Sequence, residues 1–187
     1  MSKYDLAYKS VSELPQYTGG DSSFDKVPVF DASADRMEYL NYNGPNIAGG
    51  AALTLTAAAH SSLHGSLINL DTAAGTTITL PAATGSGNLY KFYVSVLATS
   101  NSHIIKVANA SDTMKGFAVI ADTDTAGAAS MFMTASTSDT ITLNRSTTGS
   151  VTIGEYIEIE DIATNVFLVR AFLSGTGTVA TPFSATV

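Results

Sequence analysis

From residue 51 onward, short runs rich in Val, Ile, Thr and Phe recur, separated by Gly, Asn, Asp and Ser. An apolar side chain at every second position turns one face of an extended strand toward a core, and the intervening small polar residues let the chain reverse. This pattern predicts strands at 52–56, 66–70, 76–80, 89–97, 103–107, 116–121, 130–134, 139–143, 151–160 and 166–173. Many short strands with almost no helical period predict an all-β fold, an antiparallel β-sandwich or a jelly-roll-like barrel, over residues 51–187. A helical turn fits only at 57–64, and no internal repeat stands out.

The clearest unit is the last hairpin. Glu155-Tyr156-Ile157-Glu158-Ile159-Glu160 alternates, and Val166-Phe167-Leu168-Val169-Arg170-Ala171-Phe172-Leu173 follows a short polar connection. A loop of Ala163-Thr164-Asn165 sets Ile159 opposite Val169 and Glu158 opposite Arg170. Ile157, Ile159, Phe167, Val169 and Leu173 then share one face, yet Leu168 and Phe172 lie beside Arg170 on the other. A strand apolar on both sides calls for cover on both sides, so contact with another element or another subunit is expected.

Residues 1–50 differ, carrying eleven of the chain's twenty-five charged side chains. They are expected to form an extended N-terminal arm that docks on a partner. Its candidate partner-binding residues are Tyr4, Tyr8, Tyr17, Phe24, Phe30, Tyr39 and Tyr42, because aromatic side chains bury large areas and the tyrosines keep a polar tip. Val27-Pro28-Val29-Phe30 and Met37-Glu38-Tyr39-Leu40 flank the turn-rich Asp31-Ala32-Ser33-Ala34-Asp35, which predicts a short hairpin or two short extended pieces, with a helix over 32–40 as the competing element. Between Glu38 and Lys91 the only charged residue is Asp71. Such a segment suits contact surface as well as core, or else a solvated Thr-rich surface.

Composition narrows the function classes. In 187 residues a net charge of −7 repels a polyanion, so no nucleic-acid partner is expected. With 45% hydrophobic and 13% charged residues the chain has a folding composition rather than a disordered one. The absence of Cys excludes disulfides and thiolate metal sites. The first ten residues lack an apolar signal core and no run approaches the length of a membrane span, so neither export nor membrane insertion is expected.

No catalytic constellation emerges. His60 and His64 have the i, i+4 spacing of zinc ligands, but they lack the Glu of the catalytic motif and a nearby third ligand, so a polar turn is expected. His103 reads as a strand-edge residue. Asp122, Asp124 and the later Asp139 lack the glycine and bidentate Glu of a calcium loop. Thr84-Gly85-Ser86-Gly87-Asn88 is followed by a strand rather than Lys-Ser and a helix, so it reads as a hairpin turn. Glu155, Glu158, Glu160 and Asp161 form the densest acidic group. Alternation places Glu158 and Glu160 on a solvated face, where the separation of pKa values that acid–base catalysis needs does not arise. A carbohydrate-active enzyme would have to draw on Asp122, Asp124, Glu158 and Glu160. The chain is expected to be non-enzymatic, with no metal and no cofactor.

One stretch supports a narrower expectation. Ser66-Leu67-Ile68-Asn69-Leu70-Asp71, the turn at Gly75, Thr76-Thr77-Ile78-Thr79-Leu80-Pro81, the turn Gly85-Ser86-Gly87-Asn88 and Leu89-Tyr90-Lys91-Phe92 resemble a segment common in structural proteins of tailed phages, among them head decoration proteins and head or tail fibres. Ile104-Ile105-Lys106-Val107 and Met114-Lys115-Gly116-Phe117 fit the same pattern, which spans roughly residues 64–120. Val27-Pro28-Val29-Phe30-Asp31-Ala32-Ser33 also resembles N-terminal segments of phage fibre proteins. The resemblance implies a virion structural protein made in the host cytoplasm and carries over no functional residues. The expectation is a capsid decoration (cement) protein on the outer surface of the head, a homotrimer whose arm binds the major capsid protein. A fibre or spike component that binds a host-surface receptor is the alternative.

Overall fold

The computed structural model describes residues 26–31, 36–41, 46–56 and 67–187. The chain divides into two compact units, Met1–Asn41 and Tyr42–Val187. In the first, β1 (Lys26–Asp31) and β2 (Arg36–Asn41) pair antiparallel with Phe30 opposite Met37 and Tyr39 opposite Pro28. The hairpin expected around residues 31–35 is therefore present, and β2 takes the place of the competing helix. Tyr4, Tyr8, Tyr17, Phe24 and Tyr42 lie outside the described residues, as do His60, His64 and the helical turn at 57–64.

The described residues of the second unit are all-β. Its strands are β3 (Asn46–Ala48), β4 (Ala52–Thr54), β5 (Leu67–Leu70), β6 (Thr77–Thr79), β7 (Leu89–Val94), β8 (His103–Lys106), β9 (Thr113–Asp122), β10 (Ala129–Met133), β11 (Thr140–Leu143), β12 (Tyr156–Ala163), β13 (Val166–Gly175) and β14 (Phe183–Ser184). A seven-stranded sheet has the order β10-β9-β13-β12-β7-β5-β3, and a five-stranded sheet the order β14-β11-β8-β6-β4. The core lies between them. Ile68, Phe92, Ile159, Phe167, Val169 and Ile120 come from the larger sheet and Ile78, Ile105, Ile141 and Leu143 from the smaller, all essentially without solvent exposure. Burial of each such side chain contributes about 1.5–3 kcal/mol.

The sandwich matches the fold class read from the alternation, and its sheets are mixed in direction. From β3 to β9 the chain switches sheets at every strand, so β3, β5 and β7 stack parallel in one sheet and β4, β6 and β8 in the other. A short Gly-containing connection can close a hairpin or arch across to the facing sheet, and residue type alone does not separate the two. Residues 84–88 illustrate this. They were expected to close a hairpin and instead carry the chain from β6 in the small sheet to β7 in the large one. The earlier arch turns at Gly75, whose φ of 99° suits glycine and whose missing side chain lets the carbonyl of Ser102 approach.

The β12–β13 hairpin has the expected register, with Glu158 opposite Arg170 and Ile159 opposite Val169. A bulge between Asp161 and Ala163 shortens its loop to Thr164 and Asn165, the latter at φ 62°. Strand 151–160 begins only at Tyr156. The β-branched Val151-Thr152-Ile153 run is a turn because the buried Glu155 carboxylate accepts the N–H groups of Ser150, Val151 and Thr152, withdrawing them from any ladder.

Candidate protein-interaction face

Alternation along the strands of the large sheet sends one set of side chains into the core and the other to its outer surface. The outer set forms rows. One runs Met131–Val119–Phe172–Tyr156–Tyr93 across β10, β9, β13, β12 and β7, and the next runs Met133–Phe117–Arg170–Glu158–Lys91. Met131 and Met133 are each 64% exposed and Phe172 is 56% exposed, whereas Val119, Phe117, Tyr156 and Tyr93 are half-buried beside them. Methionine and aromatic side chains therefore cluster on the β10 side of this face. Apolar residues scattered singly over a surface mean little, but contiguous ones mark contact sites.

The charged row fixes the other half of the face. Glu158 lies between Lys91 at 3.7 Å and Arg170 at 3.8 Å, and accepts a 3.0 Å hydrogen bond from the Tyr156 hydroxyl. Burial, followed by the hydrogen bond and charge of Glu158, pushes the Tyr156 phenol up to about 12. The phenol is thus a donor, anchored with its ring beside Phe172.

The remaining candidate residues have been drawn into the scaffold. Asp161 is buried and accepts hydrogen bonds from the N–H groups of Thr84, Gly85 and Ser86 and from the hydroxyls of Thr84 and Ser86. Burial alone raises its pKa, but these donors outweigh it and hold the carboxyl below its usual range. The nearby Tyr90 phenol is pushed up to about 12 by burial and by the Asp161 charge. Asp139 is lowered in the same way, its burial outweighed by the N–H groups of Thr186 and Val187 and the Thr140 hydroxyl, and it clamps the chain end. Asp124 accepts from Thr176 and Gly177.

His103 starts β8, as its strand-edge assignment requires, and it is fully buried. Its Nδ1 accepts the Thr76 N–H at 3.1 Å, so Nε2 carries the proton toward the Val96 carbonyl at 2.9 Å. Burial lowers its pKa, outweighing the opposing effects of Val96, Glu155 and Asp71. Among the described residues no three His, Asp or Glu side chains come together to hold a metal, and no helix is long and apolar enough to cross a membrane.

Of the sequence candidates, Glu158 and Glu160 lie on the outer face as alternation requires, and Glu155 and Asp161 turn inward onto loops. Phe30 and Tyr39 occupy the first unit. The contribution of β10 was missed. Its Met131 and Met133 sit in a predicted strand, and only the pairing of β10 with β9 and of β9 with β13 brings them to Phe172. Comparisons of the chain with protein-family models, with curated proteins and with solved structures return no match.

Proposed function

We propose that this chain is a non-catalytic structural subunit that works by packing against other protein chains, and specifically a capsid decoration protein of a tailed-phage head. The observation that carries the packing role is the contiguous exposed surface of Met131, Met133 and Phe172 on an ordered sheet. Exposed apolar area of this kind gains free energy when another protein covers it. The capsid assignment is supported by the likeness of residues 64–120 to phage structural proteins, and by an acidic charge that keeps the chain off the packaged polyanion. In this reading residues 1–50, which include the β1–β2 hairpin, dock on the major capsid protein.

The test is the copy number of the chain in purified particles, by quantitative mass spectrometry against the major shell protein. A ratio near that of the shell protein supports decoration of the whole head. A count of a few to a few dozen moves the chain to a fibre, spike or neck, and absence from particles overturns the virion reading.

A further inference from the structure

Among the described residues the sandwich has four edge strands, and three of them are short. β3 and β4 have three residues each and β14 has two, with Pro182 immediately before it. β10 has five, Ala129-Ser130-Met131-Phe132-Met133, and it lies in an uncharged, proline-free run from residue 125 to residue 138. Natural edges are ordinarily blunted by charge, proline, a bulge or brevity, and β10 has none of these.

The free groups of β10 can be placed. Asp122 N–H donates to the Ala128 carbonyl and Thr134 N–H to the Gly116 carbonyl, which sets the phase of the antiparallel β9–β10 ladder. Even-numbered residues of β10 therefore bond to β9, while Ala129, Met131 and Met133 turn their N–H and C=O groups outward. The side chains of these three are exposed. Among the described residues no other strand pairs with this edge.

We infer that β10 is a homotypic docking edge that pairs antiparallel with β10 of a second copy of this chain, about a twofold axis at Met131. In this register Met131 faces its counterpart and Ala129 faces Met133, so all three outward residues form hydrogen-bonded pairs and each pair exchanges both of its bonds. A twofold contact sets residues against their own kind, so a charge at the axis would meet a like charge, and here there is none. The polarity of the strip sets the direction. Asp122 lies opposite Ala128 at the start of β10, with the Asp124 carboxylate of the same turn held by Thr176 and Gly177, and the Lys115 ammonium lies just past the end of β10, donating to the Ser136 carbonyl at 2.6 Å. Antiparallel pairing brings the acidic end of each copy toward the Lys115 end of the other, whereas parallel pairing would set like against like. The paired sheets present one continuous outer face, with Met131, Val119 and Phe172 of each copy side by side.

The inference stands apart from the virion reading, and a twofold pair differs from the threefold arrangement that the phage resemblance led us to expect. The test is sedimentation velocity of the full chain over a concentration series, for the native sequence, Met131→Lys, Met131→Glu and an equimolar mixture of the two variants. A native dimer, association weakened about 100-fold in each variant by the like charges at the axis, and recovery in the mixture are expected. Far-UV circular dichroism checks that both variants fold. Hydrogen exchange on the native chain is an independent readout, with slower exchange at the Ala129, Met131 and Met133 amides as concentration rises. A native monomer across the series, a dimer or trimer indifferent to both variants, or a mixture that fails to recover would each overturn the pairing. Copy number is read on native particles, so it tests the virion reading separately from the pairing.

Discussion

The two outer faces of the sandwich are built on the same alternation and carry opposite chemistry. On the small sheet the rows run Ala52–Thr77–Ile104–Thr142 and Thr54–Thr79–Lys106–Thr140–Ser184. Threonine satisfies the branched geometry a strand favours; Thr54, Thr77 and Thr79 keep their hydroxyls at or near water, and Thr140 is buried with its hydroxyl donating to Asp139. On the large sheet the equivalent positions hold Met131, Met133, Phe117, Val119 and Phe172. Threonine would have served the strand equally well there. What the apolar residues add is free energy released when a second protein covers them, so on the proposed packing role the difference between the faces separates surface suited to water from surface suited to contact.

The variant with the largest expected effect abolishes both faces. Gly116 lies in β9 beside β13 at φ 143°, and a side chain there would overlap the Val169 carbonyl. Gly116→Ala is expected to cost more than about 4 kcal/mol and leave little folded protein, as read by urea denaturation. Asp161→Ala ranks next. It strands the N–H groups of Thr84, Gly85 and Ser86 and is expected to cost about 3 kcal/mol, part of which Asp161→Asn restores by keeping one acceptor oxygen. A midpoint unchanged in Asp161→Ala would show that this clamp does not hold the arch.

The faces themselves are separated by paired variants. Replacing Met131, Met133 and Phe172 by Thr gives the large sheet the chemistry of the small one. Stability is expected to stay within about 1 kcal/mol, and on the proposed capsid role retention on particles, measured by co-sedimentation, weakens about 100-fold. Thr77→Ser with Thr79→Ser on the opposite face is expected to leave retention unchanged. Equal losses from the two sets would erase the distinction.

Acid is expected to act on the scaffold shared by both faces. The folded pKa of His103 lies below its unfolded value of about 6.5, so its contribution is fully present above that value and declines as the unfolded state takes up protons below it. Asp139 and Asp161 also have lowered folded values, so their contribution is present above the ordinary carboxylate range, near pH 4, and is lost as pH falls through the folded values. Denaturation midpoints should therefore fall in two stages on acidification. His103→Gln should remove the upper stage and leave the lower.

The strands of the sandwich were legible because burial is written in the alternation. Ile157, Ile159, Phe167, Val169 and Leu173 are buried as their period-2 spacing demands, and the β12–β13 register followed from two charges and a turn. The path between the sheets was not legible, since Gly75 and residues 84–88 serve an arch as well as they serve a hairpin. The turn at 151–154 was hidden because a carboxylate partner overrides the strand preference of Val151 and Thr152. For the candidate face, Phe172 was visible as an apolar residue on the wrong side of its strand. Met131 and Met133 belong with it only through a parallel β9–β13 pairing that joins segments far apart in the chain.

The smallest expected effect concerns the charged row of the large sheet. Glu158 is partly exposed and its two cationic neighbours stand at 3.7 and 3.8 Å, distances and exposure at which ion pairs contribute less than about 1 kcal/mol. Glu158→Gln should therefore barely move the denaturation midpoint. It should move Tyr156, whose phenol is raised to about 12 first by burial and then by the hydrogen bond and charge of Glu158. With the charge gone, ultraviolet titration should place Tyr156 lower, though still above an ordinary tyrosine, because its burial beside Phe172 remains. A Tyr156 that titrates as before would mean that burial alone sets its pKa and that the charged row is independent of the aromatic one. A clear drop would mean that the two rows form one surface, with Tyr156 joining them.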